Sequence, residues 1–294
     1  MDELTDKYET AFRKFNFRTD DEYVNSCVKA IAEKQKECSR EDLMKLVSLL
    51  DYTSLDITDN EENILAKIEK INDFFGSNPD IPTFAGFCTY PCFAGISSQA
   101  LEIEDTAVVC VSGNFPSSQA CTEIKIAETA MAVHDGADEI DIVMPVGRFL
   151  SEDYEYIADE IQEIKEVCDE KVLKVILETG TLKNYDDIKK AAVLSMYSGA
   201  DFIKTSTGKE KVGATPEAFY IMCRAVREYN EMTGRKVGVK AAGGINTIRD
   251  AFLYYNIAND VLGGDWMDKK DFRIGTSRLA SLLLAEITGK DGVF

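Results

Sequence analysis

From about residue 46 onward, short apolar runs alternate with longer stretches whose apolar residues recur at helical spacing. The runs, rich in Val, Ile, Phe, Ala and Cys, are MKLVSLLDYTSL, PTFAGFCTY, TAVVCVSG, ADEIDIVMP, VLKVILETG, ADFIKTSTG, KVGVKAAGG and FRIGTS, eight in all. Between them lie segments such as NEENILAKIEKINDFF, SQACTEIKIAETAMAVHDG, EDYEYIADEIQEIKEVCD and TPEAFYIMCRAVREYNEMTG. Strands alternating with helices of about 10 to 20 residues make βαβ units and a parallel sheet. Eight such units predict an α/β fold closed as a (β/α)8 TIM barrel rather than an open sheet. Several helical segments run into a glycine (Gly136, Gly199, Gly234), as a helix C-terminus commonly does.

No composition shift, linker or short repeat interrupts residues 46–294, which read as one barrel domain. Residues 1–45 hold DELTDKYETAFRKF, DDEYVNSCVKAIAEKQKE and the start of REDLMKLVSLL, short amphipathic helices forming an N-terminal helical extension. Its expected use is to pack across a barrel end or into an oligomer contact, with a partner-binding arm as the alternative.

In this architecture chemistry sits where strands end and the following loops begin. That position selects Asp51, Thr53, Cys88, Asn114, Asp141, Glu178, Lys204 to Thr207, Lys240 and Gly275 to Ser277. Lys174, Lys204 and Lys240 all fall within strand runs. Desolvation and like charge push such an ammonium towards the neutral amine, the form that attacks a carbonyl to give a Schiff base. The alternative is that each lysine simply pairs with a carboxylate such as Asp51, Asp141 or Glu178. Within GADEIDIVMP a period of two sets Glu139 on the face opposite Asp141, which lies deeper in the apolar run. Asp141 then either moves protons or balances lysine charge.

Gly208 with Lys209, Gly243 with Gly244, and Gly275 with Ser277 follow the last three strands, where exposed backbone N–H groups suit a phosphate. A net charge of −19 makes nucleic acid or an anionic membrane an improbable partner. An anionic substrate would need a local positive exception, and these lysines and glycines supply one.

His134 is the single histidine and sits near a helix end, so no metal or other cofactor is expected. The eight cysteines show no CxxC and no zinc-ribbon spacing, and no apolar run approaches the ~18 residues of a membrane span, which favours a reducing cytoplasm. Cys88 and Cys92, in CTYPC, have no histidine to pair with and read as packing or strand-end lining.

The segments LDYTSL, FCTYP, NFP, EIDIVMPVG, LKVILETG, DFIKTSTGK, VGVKAAGGI and RIGTS, in this order over roughly residues 46–290, resemble the deoxyribose-phosphate aldolase family. The resemblance implies a class I, metal-independent lyase that reversibly cleaves 2-deoxy-D-ribose 5-phosphate to glyceraldehyde 3-phosphate and acetaldehyde through a lysine imine. It implies that Lys204 forms the imine, that Lys240 is the neighbouring cation and that Asp141 works in proton transfer. Lys174, Asp51 and Thr53 match family positions around the substrate, and Cys88 and Thr207 join them by their place at strand ends. Phosphate contacts fall on Gly208, Lys209, Gly243, Gly244, Gly275 and Ser277. The chain departs from the family pattern in three places: Phe294 where some members carry a terminal tyrosine, Ile245-Asn246 where many carry an arginine, and Arg278 where a second serine is common. Another Schiff-base sugar-phosphate aldolase and a silent sugar-phosphate-binding barrel remain as alternatives, and a homodimer is left open.

Overall fold

The computed structural model describes residues 7–290, 292 and 294. Eight parallel strands close into a barrel, each paired with the next and the last with the first: β1 Leu50–Thr53, β2 Gly86–Thr89, β3 Ala107–Val111, β4 Glu139–Val143, β5 Val172–Ile176, β6 Phe202–Lys204, β7 Gly238–Ala242 and β8 Phe272–Thr276. Each of the eight apolar runs contains one of these strands. Around them lie α4 Glu61–Ser77, α5 Ala94–Ala100, α6 Thr122–His134, α7 Val146–Leu150, α8 Tyr154–Cys168, α9 Tyr185–Tyr197, α10 Pro216–Thr233, α11 Ile248–Leu262 and α12 Leu279–Thr288. Helices α6, α9 and α10 stop just before Gly136, Gly199 and Gly234, as expected.

Ahead of the barrel come α1 Lys7–Lys14, α2 Asp21–Lys34 and α3 Arg40–Val47. The first half of MKLVSLLDYTSL is therefore helix, not strand. Ser39 and Asp42 form a reciprocal cap, each side chain accepting from the other's backbone N–H, and Leu43, Leu46 and Val47 bury one helical face. Position 45, where the extension meets the barrel in the sequence, lies inside α3. These helices rest on outer helices, α1 on α8 and α9, α2 on α10 and α11, α3 on α11 and α12, rather than across a barrel end. Ala11, Phe15, Val24 and Val28 join the same apolar core that lies between strands and helices.

The inside of the barrel is different. Leu55, Cys88, Val109 and Val111 form a small separate apolar cluster on the side of the first three strands. The interior also holds seven buried charged side chains, Asp51, Glu139, Asp141, Lys174, Lys204, Lys240 and Arg273, with the Phe202 ring packed against Lys174 and Arg273. Ionised groups persist in such a place only when paired.

Candidate active site

Six of these residues form a closed ring of alternating charge. Lys174 Nζ lies 2.5 Å from Glu139 Oε2 and 2.9 Å from Asp141 Oδ1. Arg273 Nη2 is 2.7 Å from Glu139 Oε1, and its Nη1 is 2.5 Å from Asp51 Oδ1. Lys240 Nζ closes the circle, 2.5 Å from Asp51 Oδ2 and 2.8 Å from Asp141 Oδ2. Lys204 Nζ approaches the same Asp141 Oδ2, at 2.8 Å, from outside the ring. Parallel register explains the meeting: Asp141 is level with Lys174 across β4 and β5, and Lys204 with Lys240 across β6 and β7.

Glu139 does not face away from Asp141, contrary to the expectation from the sequence pattern. Side chains two apart on a strand share a face, so both carboxylates of β4 enter the barrel and hold Lys174 between them. Arg273 is not among the strand-end positions because it lies near the start of β8, with its Nε donating to the Lys269 carbonyl before that strand. A charged residue inside the apolar run FRIGTS is the sign that could have found it.

The two lysines on adjacent strands are set apart by their partners. Burial disfavours both ammonium forms, but Lys240 sits between Asp141 and Asp51, which together raise its pKa well above the ordinary lysine value. Lys204 is lowered below that value, by burial first, with the Lys240 charge adding to it and Asp141 the main opposing influence. Asp141 is held far below the usual carboxylate range: burial would raise it, but Lys174, Lys204 and Lys240 more than offset that. Asp51 is lowered in the same way, burial being outweighed by Lys240 and Arg273. Lys174 is raised despite burial, through Asp141 and Glu139. The arrangement presents a carboxylate base beside an amine that gives up its proton more readily than an ordinary lysine.

Above Lys204 opens a cleft lined by Thr53, Leu55, Asp56, Thr207, Gly208, Lys209, Ala242, Gly243, Gly244, Ile245, Asn246, Gly275, Thr276 and Ser277. All six residues expected at a phosphate, Gly208, Lys209, Gly243, Gly244, Gly275 and Ser277, thus meet at one site with Lys204 at its floor. Gly208 and Gly243 have φ of +76° and +87°, and a Cβ on Gly243 would stand 3.2 Å from the Cα of Gly208. Glycine is needed there both for the left-handed backbone and for the close approach of the two loops. Helix α12 begins at Leu279, just beyond Ser277, so its partly positive N-terminus lies against the cleft. Lys209 Nζ donates to the Leu55 carbonyl across the opening, at 2.5 Å. Asn246 lies on the cleft wall with its Nδ2 donating to the Gly244 carbonyl, and Arg278 is exposed outside the cleft lining.

Asp51, Cys88, Asp141, Lys174 and Lys240 do not line this cleft; they are fully buried beneath it. Burial pushes the Cys88 thiol up to about 11, so it stays protonated near neutrality. Thr207 lines the cleft but gives its hydroxyl to Glu178 Oε2 at 2.5 Å and accepts the Lys209 N–H at 3.0 Å. Glu178 itself adopts a left-handed backbone (φ 52°) and also accepts the Thr207 N–H, which ties the β6 loop to the end of β5. Phe294 packs among Tyr52, Phe74 and Phe84, and Tyr52 points away from the charged interior into the outer core. His134 is exposed, its Nδ1 3.1 Å from Asp135, and the eight cysteines are free thiols. Among the described residues no helix is long and apolar enough to cross a membrane.

Residues 82–259 match the profile of the DeoC/LacD family aldolases. A Caenorhabditis elegans protein provisionally named a deoxyribose-phosphate aldolase is 36% identical over 256 residues, covering 85% of this chain and 84% of that one. Among solved structures, the tetrameric deoxyribose phosphate aldolase of Aeropyrum pernix shares 26% identity and superposes with a TM-score of 0.67, covering 88% of this chain and 96% of that one. A Toxoplasma gondii protein, 24% identical and covering 86% and 97%, has a TM-score of 0.76 and supports the fold. With the family profile matched over most of its barrel and more than a third of the aligned positions shared with the nematode protein, the chain belongs to the DeoC/LacD family of aldolases.

Proposed function

We propose that the chain cleaves 2-deoxy-D-ribose 5-phosphate reversibly to glyceraldehyde 3-phosphate and acetaldehyde, with Lys204 as the imine-forming residue. The observation that carries this reading is the contrast between two buried lysines level on adjacent strands, of which only Lys204, at the cleft floor, is pushed towards its neutral form. The names of the nematode and Aeropyrum relatives supply the substrate, and the glycine-lined cleft with Lys209 suits its phosphate.

In this reading the Lys204 amine attacks the C1 carbonyl carbon, and loss of water from the carbinolamine leaves an iminium ion. The iminium draws electrons from the C2–C3 bond as the 3-hydroxyl loses its proton. That bond breaks, releasing glyceraldehyde 3-phosphate and leaving the two-carbon enamine on Lys204. Protonation at C2 and hydrolysis of the imine then release acetaldehyde and restore the amine. Asp141, 2.8 Å from the Lys204 nitrogen, is placed to pass protons at that nitrogen, and Lys240 keeps Asp141 ionised. Thr53 and Thr207 stand on the cleft walls with their hydroxyl protons already given to the Asp51 carbonyl and to Glu178, so towards the sugar they can act only as acceptors.

Borohydride added with substrate should fix a two-carbon adduct on Lys204, located by peptide mass. An adduct on Lys240, or none, overturns the assignment. Lys204→Leu should fold with an unchanged circular dichroism spectrum and lose measurable cleavage. We further propose a cytoplasmic protein, in keeping with its free thiols. A homodimer is the assembly we propose, since Ile124 and Met131 on one face of α6 stand 62% and 66% exposed and a second copy would shield them. Light scattering at the mass of one 32.7 kDa chain sinks that assembly.

A further inference from the structure

The seven charged side chains inside the barrel are not equally connected. In the ring of Glu139, Arg273, Asp51, Lys240, Asp141 and Lys174, each anion lies between two cations and each cation between two anions. Three carboxylates meet three cations, so the ring is neutral by itself. Lys204 attaches to it only through Asp141, which already serves Lys174 and Lys240. A proton on Lys204 would therefore be a surplus positive charge in a desolvated space.

The remaining groups that face Lys204 do not supply the missing anion: Asp56 and Lys209 line the cleft above it, one of each sign and both exposed to solvent. Cys88, from β2, is a buried thiol, and β3 presents Val109 and Val111 beside it. Glu178, at the end of β5, is committed to the backbone and hydroxyl of Thr207. Asp51 from β1, Asp141 and Glu139 from β4, Lys174 from β5, Lys240 from β7 and Arg273 from β8 are the ring itself. Glu139 opens β4, and Arg273 is the second residue of β8, so both belong to the barrel end remote from the cleft, and neither lines it.

We propose that Arg273 and Glu139 are positioning residues for the reaction: by completing a neutral ring of buried charge at the far end of the barrel, they hold Lys204 as the free amine. The inference rests on Lys204 being the nucleophile. Its mark is a pair of opposite effects. Glu139→Gln leaves the ring one positive charge in excess, makes protonation of Lys204 harder, and moves the acid limb of imine formation to lower pH. Arg273→Met leaves one negative charge in excess, favours the Lys204 proton, and moves the limb to higher pH. A unit charge roughly 8 Å away at an effective dielectric constant of about 20 displaces the limb by about 1.5 pH units. Removing both leaves Asp51, Lys240, Asp141 and Lys174 in balance, and the limb returns towards that of the parent protein.

The test is the pH dependence of borohydride trapping with acetaldehyde, which carries no phosphate to titrate, in the full chain and in Glu139→Gln, Arg273→Met and the double variant, with the labelled lysine identified each time. Limbs displaced downward, upward and back again support the proposal. Label on Lys204 with the two single variants displaced in the same direction, or with Glu139→Gln not displaced, overturns it, because a residue that merely supports the barrel has no reason to give opposite signs. If Arg273→Met fails to fold, Glu139→Gln and the double variant still decide: a downward displacement cancelled in the double supports the proposal, and one that persists overturns it. Parent protein that takes no label on Lys204 sinks the nucleophile assignment and this inference with it, a result distinct from label in place with the wrong displacements.

Discussion

Two identical side chains one strand apart differ in chemistry because of how many carboxylates each can claim. Lys240 has Asp51 and Asp141, whereas Lys204 has a third share of Asp141 alone. Replacing Lys240 with Met should therefore leave Asp141 to Lys174 and Lys204, and the proton on Lys204 should become harder to remove. With Lys204 as the proposed nucleophile the amine is the reactive form, which fixes the sign: activity should be lost as pH falls through the Lys204 value, so raising that value moves the loss to higher pH. Cleavage near pH 7 should fall by about 100-fold or more and recover partly in alkali, because below the titration point the free amine becomes about tenfold scarcer for every pH unit that the limb moves up. A kcat profile that keeps its shape in Lys240→Met contradicts this. Lys204, Lys240 and Asp141 were legible in the sequence because chemistry in a barrel gathers at strand ends. Glu139 shares the inward face of β4 with Asp141 because residues two apart on a strand point the same way, and Arg273 lies at the other end of its strand, away from the loops where barrel chemistry gathers.

At the scale of strand and loop, β6 is only three residues long, and the chain leaves it at Lys204 to form the wall of the cleft. Glu178 fixes that wall by holding Thr207, and Gly208 and Gly243 let it approach the β7 loop. Gly243→Ala places a Cβ on a left-handed residue against two backbone Cα atoms, 3.2 Å from each. The strain, about 1–2 kcal/mol, should appear as a KM for the phosphorylated substrate raised roughly tenfold, with a much smaller change for unphosphorylated 2-deoxyribose. Equal losses with both substrates would place the phosphate elsewhere. All eight strands were legible from their apolar runs, yet the start of β1 was not. MKLVSLL is apolar enough for either structure, and what decides for helix is the Ser39–Asp42 cap upstream, together with the face that Leu43, Leu46 and Val47 bury.

For the molecule as a whole, the alternation of elements specifies the barrel, while the seat of the N-terminal helices depends on tertiary contacts that no local pattern encodes. Phe15 is buried, stacks near Phe17 and meets Tyr197 of α9 edge-on at 5.9 Å between ring centroids. Phe15→Ala should cost about 3 kcal/mol of stability, in the range for a buried aromatic truncated to alanine, and lower the melting temperature in calorimetry. The rate per folded molecule should not change, because this contact is on the outside of the helix ring; a fall in kcat at a temperature where the variant is fully folded would tie the extension to catalysis.

The closed circle of charge beneath the cleft also has a consequence for how the protein responds to its medium. Mobile ions weaken interactions only where they can enter, over a screening distance that shrinks from about 30 Å in 0.01 M salt to about 3 Å in 1 M. The cleft is open to them and the circle is not, since its side chains are almost wholly removed from solvent. Affinity for the phosphorylated substrate should vary across that range of salt, while the acid limb of acetaldehyde trapping stays where it is. The proposed nucleophile and the proposed anion site lie one above the other in the same barrel, yet only the anion site would register the ionic strength outside.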